Sequence, residues 1–333
     1  MRRILTLAVV PTVLLLAAAA PSPTATSGPS YSVFLRLVDA PAGSFDQMIA
    51  AVAPAVERSG WRLLASYDAG TGGCAYRAHT FVVNAPAFTE EVLKHGVRTA
   101  FAVPLRLAVY EDDLGVHLAA VNPQSIARTV VDESFEAPST ALVGQLRTMT
   151  ATGFPGTPVL VPYGQPRDQG LIEKTMGVVA GGPFPGKIDQ VRKSRAVPGM
   201  TVQVVADNIA AAGARPQGRW ALRTAYRLDL PNQNAVLLGF TGGPMESRSF
   251  QIVGAGLDQS RSRFACPGLD HTPAYPLELL VVQEAGEIKV LLIDVMFRMK
   301  MYFEDAGKVK FAANMSMPGS IENELRDLVE EAY

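Results

Sequence analysis

Residues Pro104–Ile126, PLRLAVYEDDLGVHLAAVNPQSI, read as strand, turn, strand and helix start. Leu105, Leu107 and Val109 alternate with Arg106, Ala108 and Tyr110. An acidic turn, Glu111-Asp112-Asp113, runs to Gly115, and Val116, Leu118 and Ala120 alternate again before Asn122-Pro123 opens a helix. A second stretch, MFRMKMYFEDAGKVKFAANMSMPGSI from Met296 to Ile321, follows the same plan. Arg106 matches Arg298, Tyr110 matches Tyr302, Asp113 matches Asp305, Gly115 matches Gly307 and Asn122 matches Asn314, all at 192 residues (298 − 106). The spacing predicts a hairpin that occurs twice, and hence two related domains.

Upstream of that hairpin, Tyr31–Val38 reads as a first strand. A helix then begins at Ser44, with Gln47 in the capping-box position and Phe45, Met48, Ile49, Val52 and Val56 on one side. Pro54 is expected to kink it and Gly60 to end it. Strands follow at Trp61–Tyr67 and Thr80–Val83, then a short helix from Asn84-Ala85-Pro86 through Leu93, and a closing helix from Pro123 to about Val131. The order β-α-β-β-α-β-β-α predicts an α+β sandwich, a mainly antiparallel sheet with helices packed on it.

Downstream, residues 136–199 are rich in Pro, Gly, Ser and Thr and read as a linker, with one helix at Ser139–Met149. The basic patch Lys187–Arg195 within it reads as a solvated face rather than an anion site. A second, diverged domain is expected over 200–333. It opens on a helix with Val202, Val205, Ile209 and Ala212 on one side, and Trp220–Tyr226 restates Trp61–Tyr67 at 159 residues (220 − 61). The step from 159 to 192 predicts a 33-residue insertion near 227–264, with Ala235–Phe240 and Ser249–Val253 forming an added hairpin. A final helix is expected over Ser320–Ala332.

At 333 residues the chain has room for two cores, and a net charge of −1 from 30 basic and 31 acidic residues gives no footprint for nucleic acid or an anionic membrane. The N-terminus carries Arg2 and Arg3, a 17-residue apolar run Ile4–Ala20, and a Pro/Ser/Thr zone. It reads as a secretory signal cleaved after Ser27. A retained anchor is disfavoured by Pro11 and by a length short of the ~20 residues a span needs. The mature chain is therefore expected to be soluble and either periplasmic or extracellular.

The succession Asn84-Ala85-Pro86, Val103-Pro104, Val109-Tyr110-Glu111-Asp112 with Gly115, and Val121-Asn122-Pro123 resembles the small bacterial and archaeal domain of unknown function 302 family. The resemblance covers Tyr31 to about Phe135, giving a first domain over 31–135. In the second copy it covers only the last hairpin and helix. It implies a compact α+β domain that pairs with itself and has no agreed activity, so two copies would form an internal pseudo-dimer. Val83 and Leu105 stand where that family commonly has cysteines, which departs from any thiol role tied to those positions.

The two cysteines, Cys74 and Cys266, lie 192 residues apart, as do His79 and His271, so Cys-x4-His occurs twice. Three readings compete. The cysteines form a disulfide in an oxidising compartment; both thiolates and both imidazoles hold zinc or copper; or the thiols are unrelated and the histidines are satisfied by backbone. Cysteine–histidine catalysis lacks an orienting acid in an evident place for both pairs.

Met299-Lys300-Met301 and Met315-Ser316-Met317 suggest cuprous copper. Strand alternation, however, puts Phe297, Met299, Met301 and Phe303 on one core-filling face. The turn Glu111-Asp112-Asp113 reads as solvated, His95 and His117 each stand alone, and His117 is expected on the exposed side of its strand. There is no P-loop, G-x-S-x-G, H-E-x-x-H or EF-hand, and Gly254-Ala255-Gly256 lacks the third glycine of a dinucleotide fingerprint. The leading expectation is an exported, non-enzymatic module without a cofactor, binding a small molecule or an envelope protein in the cleft between copies. The alternative is a metal or thiol-redox protein using Cys74, His79, Cys266 and His271, with zinc or copper. A hydrolase with an unrecognised site ranks third.

Overall fold

The computed structural model describes residues 31–166, 183–254, 264–303, 306 and 312–332. The expected leader falls on residues 1–30, outside the described residues.

The first half runs β1 (Ser32–Ala40), α1 (Phe45–Arg58), β2 (Arg62–Asp68), β3 (Ala78–Asn84), α2 (Pro86–Leu93), a helical turn at Val97–Ala102, β4 (Leu105–Asp112), β5 (Gly115–Val121), α3 (Pro123–Val130), α4 (Glu136–Thr150) and β6 (Thr157–Pro166). Its antiparallel sheet has the order β2-β3-β4-β5-β1-β6. The expected helix starts behave differently. Asn122 accepts the Gln124 N–H with its side-chain oxygen at 3.1 Å, and Pro123 needs no donor at the first turn. Ser44 precedes α1 but makes no side-chain cap bond, so the expected capping box is not formed.

The second half runs β7 (Ile188–Arg195), α5 (Val202–Ala212), β8 (Arg223–Leu230), β9 (Ala235–Thr241), α6 (Gly243–Gly254), a helical turn at Leu269–Ala274, β10 (Leu277–Glu284), β11 (Glu287–Ile293), α7 (Val295–Phe303) and α8 (Ser316–Glu331). Its sheet, β7-β11-β10-β9-β8, repeats the first sheet position by position, β6 alone having no counterpart among the described residues. Even the register slips recur, at Leu63/Ala65 in the first sheet and Thr224/Tyr226 in the second. The fold is thus α+β, two related sheet-and-helix domains.

The repeat is real in topology, but its register is not the one read from the sequence. The counterpart of the Pro104–Ile126 hairpin is β10–β11, at an offset of 172 residues (277 − 105), and Arg106 corresponds to Glu278 rather than Arg298. The stretch expected to be the second hairpin begins as helix α7. Asp294 starts that helix by accepting the Phe297 N–H at 2.6 Å, and Val295 and Phe297–Phe303 are all buried. A helix buried all round shows no 3.6-residue stripe, so its apolar spacing passes for strand alternation. The match of Trp61–Tyr67 to Trp220–Tyr226 is also displaced, because the bulges align β2 with β8 at 161 residues (224 − 63).

Among the described residues of 227–264 no hairpin is inserted: Ala235–Thr241 is a central strand and Ser249–Val253 belongs to α6. The expected linker, 136–199, instead supplies α4 and two sheet strands, β6 and β7. Proline and glycine there punctuate edge strands, where a missing N–H costs little. The final helix starts at Ser316, four residues before the expected Ser320.

Leu105, Leu107 and Val109 pack with Phe45, Met48 and Val52 of α1 and Leu146 and Met149 of α4. The opposite face, with Tyr110, Ala119 and Val121, joins the core of the second half. Each half inserts its helical turn against the other sheet: Leu269–Ala274 lies on β3, β4 and β5, and Val97–Ala102 lies on β9 and β10. This reciprocal docking explains why β4 and β5 are almost wholly buried on both faces. Among the described residues, no helix is long and apolar enough to cross a membrane.

Candidate functional site: the seam between the halves

The loop after β2, Ala69–Gly73, reaches across to the start of α6. Gly70 is required there because a Cβ would run into the Gly243 backbone. Its N–H donates to Glu246 Oε2 at 2.6 Å. At the end of the loop Cys74 is disulfide-bonded to Cys266, with Cα atoms 6.2 Å apart. The two cysteines are not equivalent in the repeat, despite their 192-residue spacing: Cys74 lies between β2 and β3, whereas Cys266 follows α6. The bridge therefore fastens two different loops of the two halves.

The acidic turn takes part in that fastening, which corrects its reading as merely solvated. Asp113 Oδ1 accepts from Tyr76 Oη and Asp113 Oδ2 from the Ala265 N–H, both at 2.8 Å, so one carboxylate holds both cysteine loops. Beside the bridge is an open groove of about 380 Å³, lined by Thr71, Gly72, Cys74, Ser247, Phe250, Gln251, Cys266 and Gly268 among others. None of its described lining residues is charged. Phe250 offers an apolar wall, and Thr71, Ser247 and Gln251 offer neutral hydrogen-bonding groups.

Glu246 stands behind this groove, wholly buried in the first turn of α6. Oε1 accepts from Thr241 Oγ1. In the first half the equivalent pair is bonded in the opposite direction, Thr89 Oγ1 donating to Asn84 Oδ1 at 2.5 Å, so a neutral threonine there is replaced by a carboxyl here. Burial raises the Glu246 pKa to about 7, only partly offset by the Gly70 N–H and Thr241. An acid with a raised folded pKa binds its proton more tightly when folded. The stability this confers is complete below the unfolded value of 4.5 and is lost as pH rises through about 7. Glu246→Gln is expected to remove most of the fall in unfolding free energy between pH 5 and 8, leaving the variant about 2–3 kcal/mol more stable than the parent at pH 8. Urea titrations across that range measure it, and an unaltered slope would assign the effect elsewhere.

Deeper in the seam lies a buried charge cluster. Arg106 Nη1 donates to Glu278 Oε1 at 2.7 Å, and its Nη2 donates to Tyr302 Oη. Arg298 Nη2 donates to the carbonyls of Ala274 at 2.6 Å and Pro276 at 2.9 Å, and its guanidinium lies 3.9 Å from the Tyr302 ring centre. Burial works against the Arg106 charge, but Tyr302 and Glu278 outweigh it and raise its pKa. Arg106 and Glu278 hold equivalent positions in the two sheets. Two like residues meeting there would repel or leave polar groups unpaired; opposite charges bind.

The residues expected to form a metal site do not come together as one. The thiols of Cys74 and Cys266 are joined to each other. His79, on β3, has Nδ1 2.7 Å from Asp68 Oδ1 and Nε2 2.8 Å from Ser66 Oγ. His271 is buried in the Leu269–Ala274 turn, with Nδ1 2.6 Å from Asp270 Oδ1, and it packs between Phe34 and Phe303. An orienting acid thus does stand beside each histidine, contrary to the sequence reading, but neither pair has a free thiol to activate. Among the described residues no group of three His, Cys, Asp or Glu side chains is placed to hold a metal.

His117 is buried rather than exposed, with Nδ1 2.7 Å from Asp39 Oδ1 and Nε2 3.0 Å from Asp112 Oδ1. Burial disfavours its charge, yet Asp112 and Asp39 raise its pKa above the ordinary value. Its stabilisation is therefore lost as pH rises through the raised value, in the same direction as that of Glu246. Met299 and Met301 are buried, as core filling requires, but on a helix; Met317 is buried and Met315 is exposed. Glu246, followed by Ser247 and Arg248, and Glu278, alone in an apolar run, carry no sequence signal of what they will face.

Fold and site together define a class: two related α+β domains, fastened by a buried ion pair and a disulfide, with an open groove at the join. Residues 38–152 match the family model described as Domain of unknown function DUF302. A solved structure titled an uncharacterized conserved protein DUF302 from Bacillus stearothermophilus is similar at 15% identity, covering 34% of this chain and 93% of that one, with a TM-score of 0.31. No curated protein matches the chain.

Proposed function

We propose that this protein is an exported binding module in which a second, diverged copy of the family domain, over about 183–332, pairs with the first as an internal pseudo-dimer. The repeated strand order and the reciprocal docking of the two helical turns support the second copy. The Arg2-Arg3 and Ile4–Ala20 leader supports export. The observation that carries the binding reading is the groove of about 380 Å³ between the halves, whose described lining residues are uncharged. That volume lies within the range of small-molecule sites. With Phe250 on one wall and Thr71, Ser247 and Gln251 around it, the groove suits a small, uncharged, amphipathic molecule such as a blocked peptide.

The test is thermal unfolding of the full mature chain with a panel of blocked, uncharged dipeptides and their carboxylate and amine counterparts. The uncharged members are expected to raise Tm, and Gln251→Trp, which fills the groove, is expected to cancel the effect. Equal shifts in the tryptophan variant, or no shift with any uncharged member, would remove the reading.

A further inference from the structure

The disulfide is placed for chemistry as well as for fastening. Both cysteines are half-buried and line the open groove, so a thiol bound there meets the bridge without unfolding of either half. The two sulfurs are not alike. Cys74 Sγ accepts the Tyr76 N–H at 3.2 Å, and among the described residues no donor is directed at Cys266 Sγ. A hydrogen bond to sulfur stabilises the thiolate, and exchange proceeds with departure of the better-stabilised thiolate.

We propose that Cys74–Cys266 is a thiol-exchange site at which an uncharged, peptide-borne thiol entering the groove attacks Cys266, with Cys74 as the leaving group. The proposal rests on the groove reading, since it names the class of molecule that the groove admits. In the first step the incoming thiolate forms a bond to Cys266 Sγ as the Cys266–Cys74 bond breaks. The electron pair stays on Cys74 Sγ, held by the Tyr76 N–H, and this thiolate then takes a proton from water. In the second step another thiol of the same dithiol partner, as thiolate, attacks its own sulfur in the mixed disulfide. Cys266 is released as a thiolate that takes a proton, and the partner leaves as a disulfide. The partner is oxidised by two electrons and the bridge is reduced. The loop Ala69–Gly73 then remains tied to α6 by the Gly70–Glu246 bond, without its covalent link.

The experiment exposes the oxidised full chain to N-acetylcysteine amide, an uncharged monothiol whose mixed disulfide persists, and quenches early with N-ethylmaleimide for peptide mapping by mass spectrometry. The adduct is expected on Cys266 in about fivefold excess over Cys74, the preference one hydrogen bond to the leaving sulfur supplies. Predominant adduct on Cys74, an even split, or no adduct while the chain stays folded would each overturn the proposal. The S-methyl analogue, which binds but does not exchange, separates the two readings. If it slows adduct formation while the adduct sits on Cys74, the groove stands and the exchange assignment falls. If it has no effect on a Cys266 adduct, groove binding falls, and with it the proposal as framed.

Discussion

Arg106→Met is expected to lower the unfolding free energy by about 3–5 kcal/mol, the usual loss when one partner of a buried ion pair is removed. The reason is less the lost attraction than what remains. Glu278 is 3% exposed and would lose its 2.7 Å partner, with Arg298 Nη2 standing 3.6 Å away. Tyr302 would lose the Arg106 donor at the same time. Arg106→Met/Glu278→Leu is therefore expected to be more stable than the sum of the single losses allows, with a coupling of about 2 kcal/mol. Urea unfolding of the two single variants and the double measures this directly. Additive losses would show that the pair is not coupled and that docking of the halves does not depend on it.

The second large effect belongs to the bridge. Cys74→Ser/Cys266→Ser removes a link between residues 192 apart, and a loop of that length is worth about 5 kcal/mol in the chain-entropy description. The expected result is a large fall in urea midpoint for the double variant, reproduced by reduction of the parent chain. Intact mass of the unreduced protein checks the premise: a chain two protons lighter than its reduced form carries the bridge. A midpoint unchanged by reduction would mean that the Gly70–Glu246 and Asp113 contacts hold the two loops without it.

These two effects arise from features with very different visibility in the sequence. The cysteines could be counted, and a disulfide was one of three readings open to them, but their shared spacing with His79 and His271 was a coincidence of numbering. Cys74 and Cys266 occupy unlike places in the repeat, and His79 and His271 lie on a strand and in a helical turn. The Arg106–Glu278 pair was not visible at all. The spacing pairs Arg106 with Arg298 because MFRMKMYF has the alternation of a strand, whereas Asp294 caps it as a helix. An arginine on an alternating strand ordinarily points to solvent. Here its face is covered by the other half of the chain, and the same covering buries His117.

Local chemistry was enough for the local elements. The hairpin from Leu105 to Val121, the helix opening at Asn122-Pro123, the amphipathic α1 and the α+β class follow from alternation, spacing and turn residues, all of which act over a few neighbours. The register of the second copy, the burial of Arg106, Glu246 and His117, and the partner of each cysteine were decided only by the tertiary structure. When two sheets dock through their inner faces, apolar segments such as Val295–Phe303 lose the periodicity that reveals their type. Polar groups then acquire partners about 170 residues away, as Arg106 and Glu278 do, which no local pattern encodes.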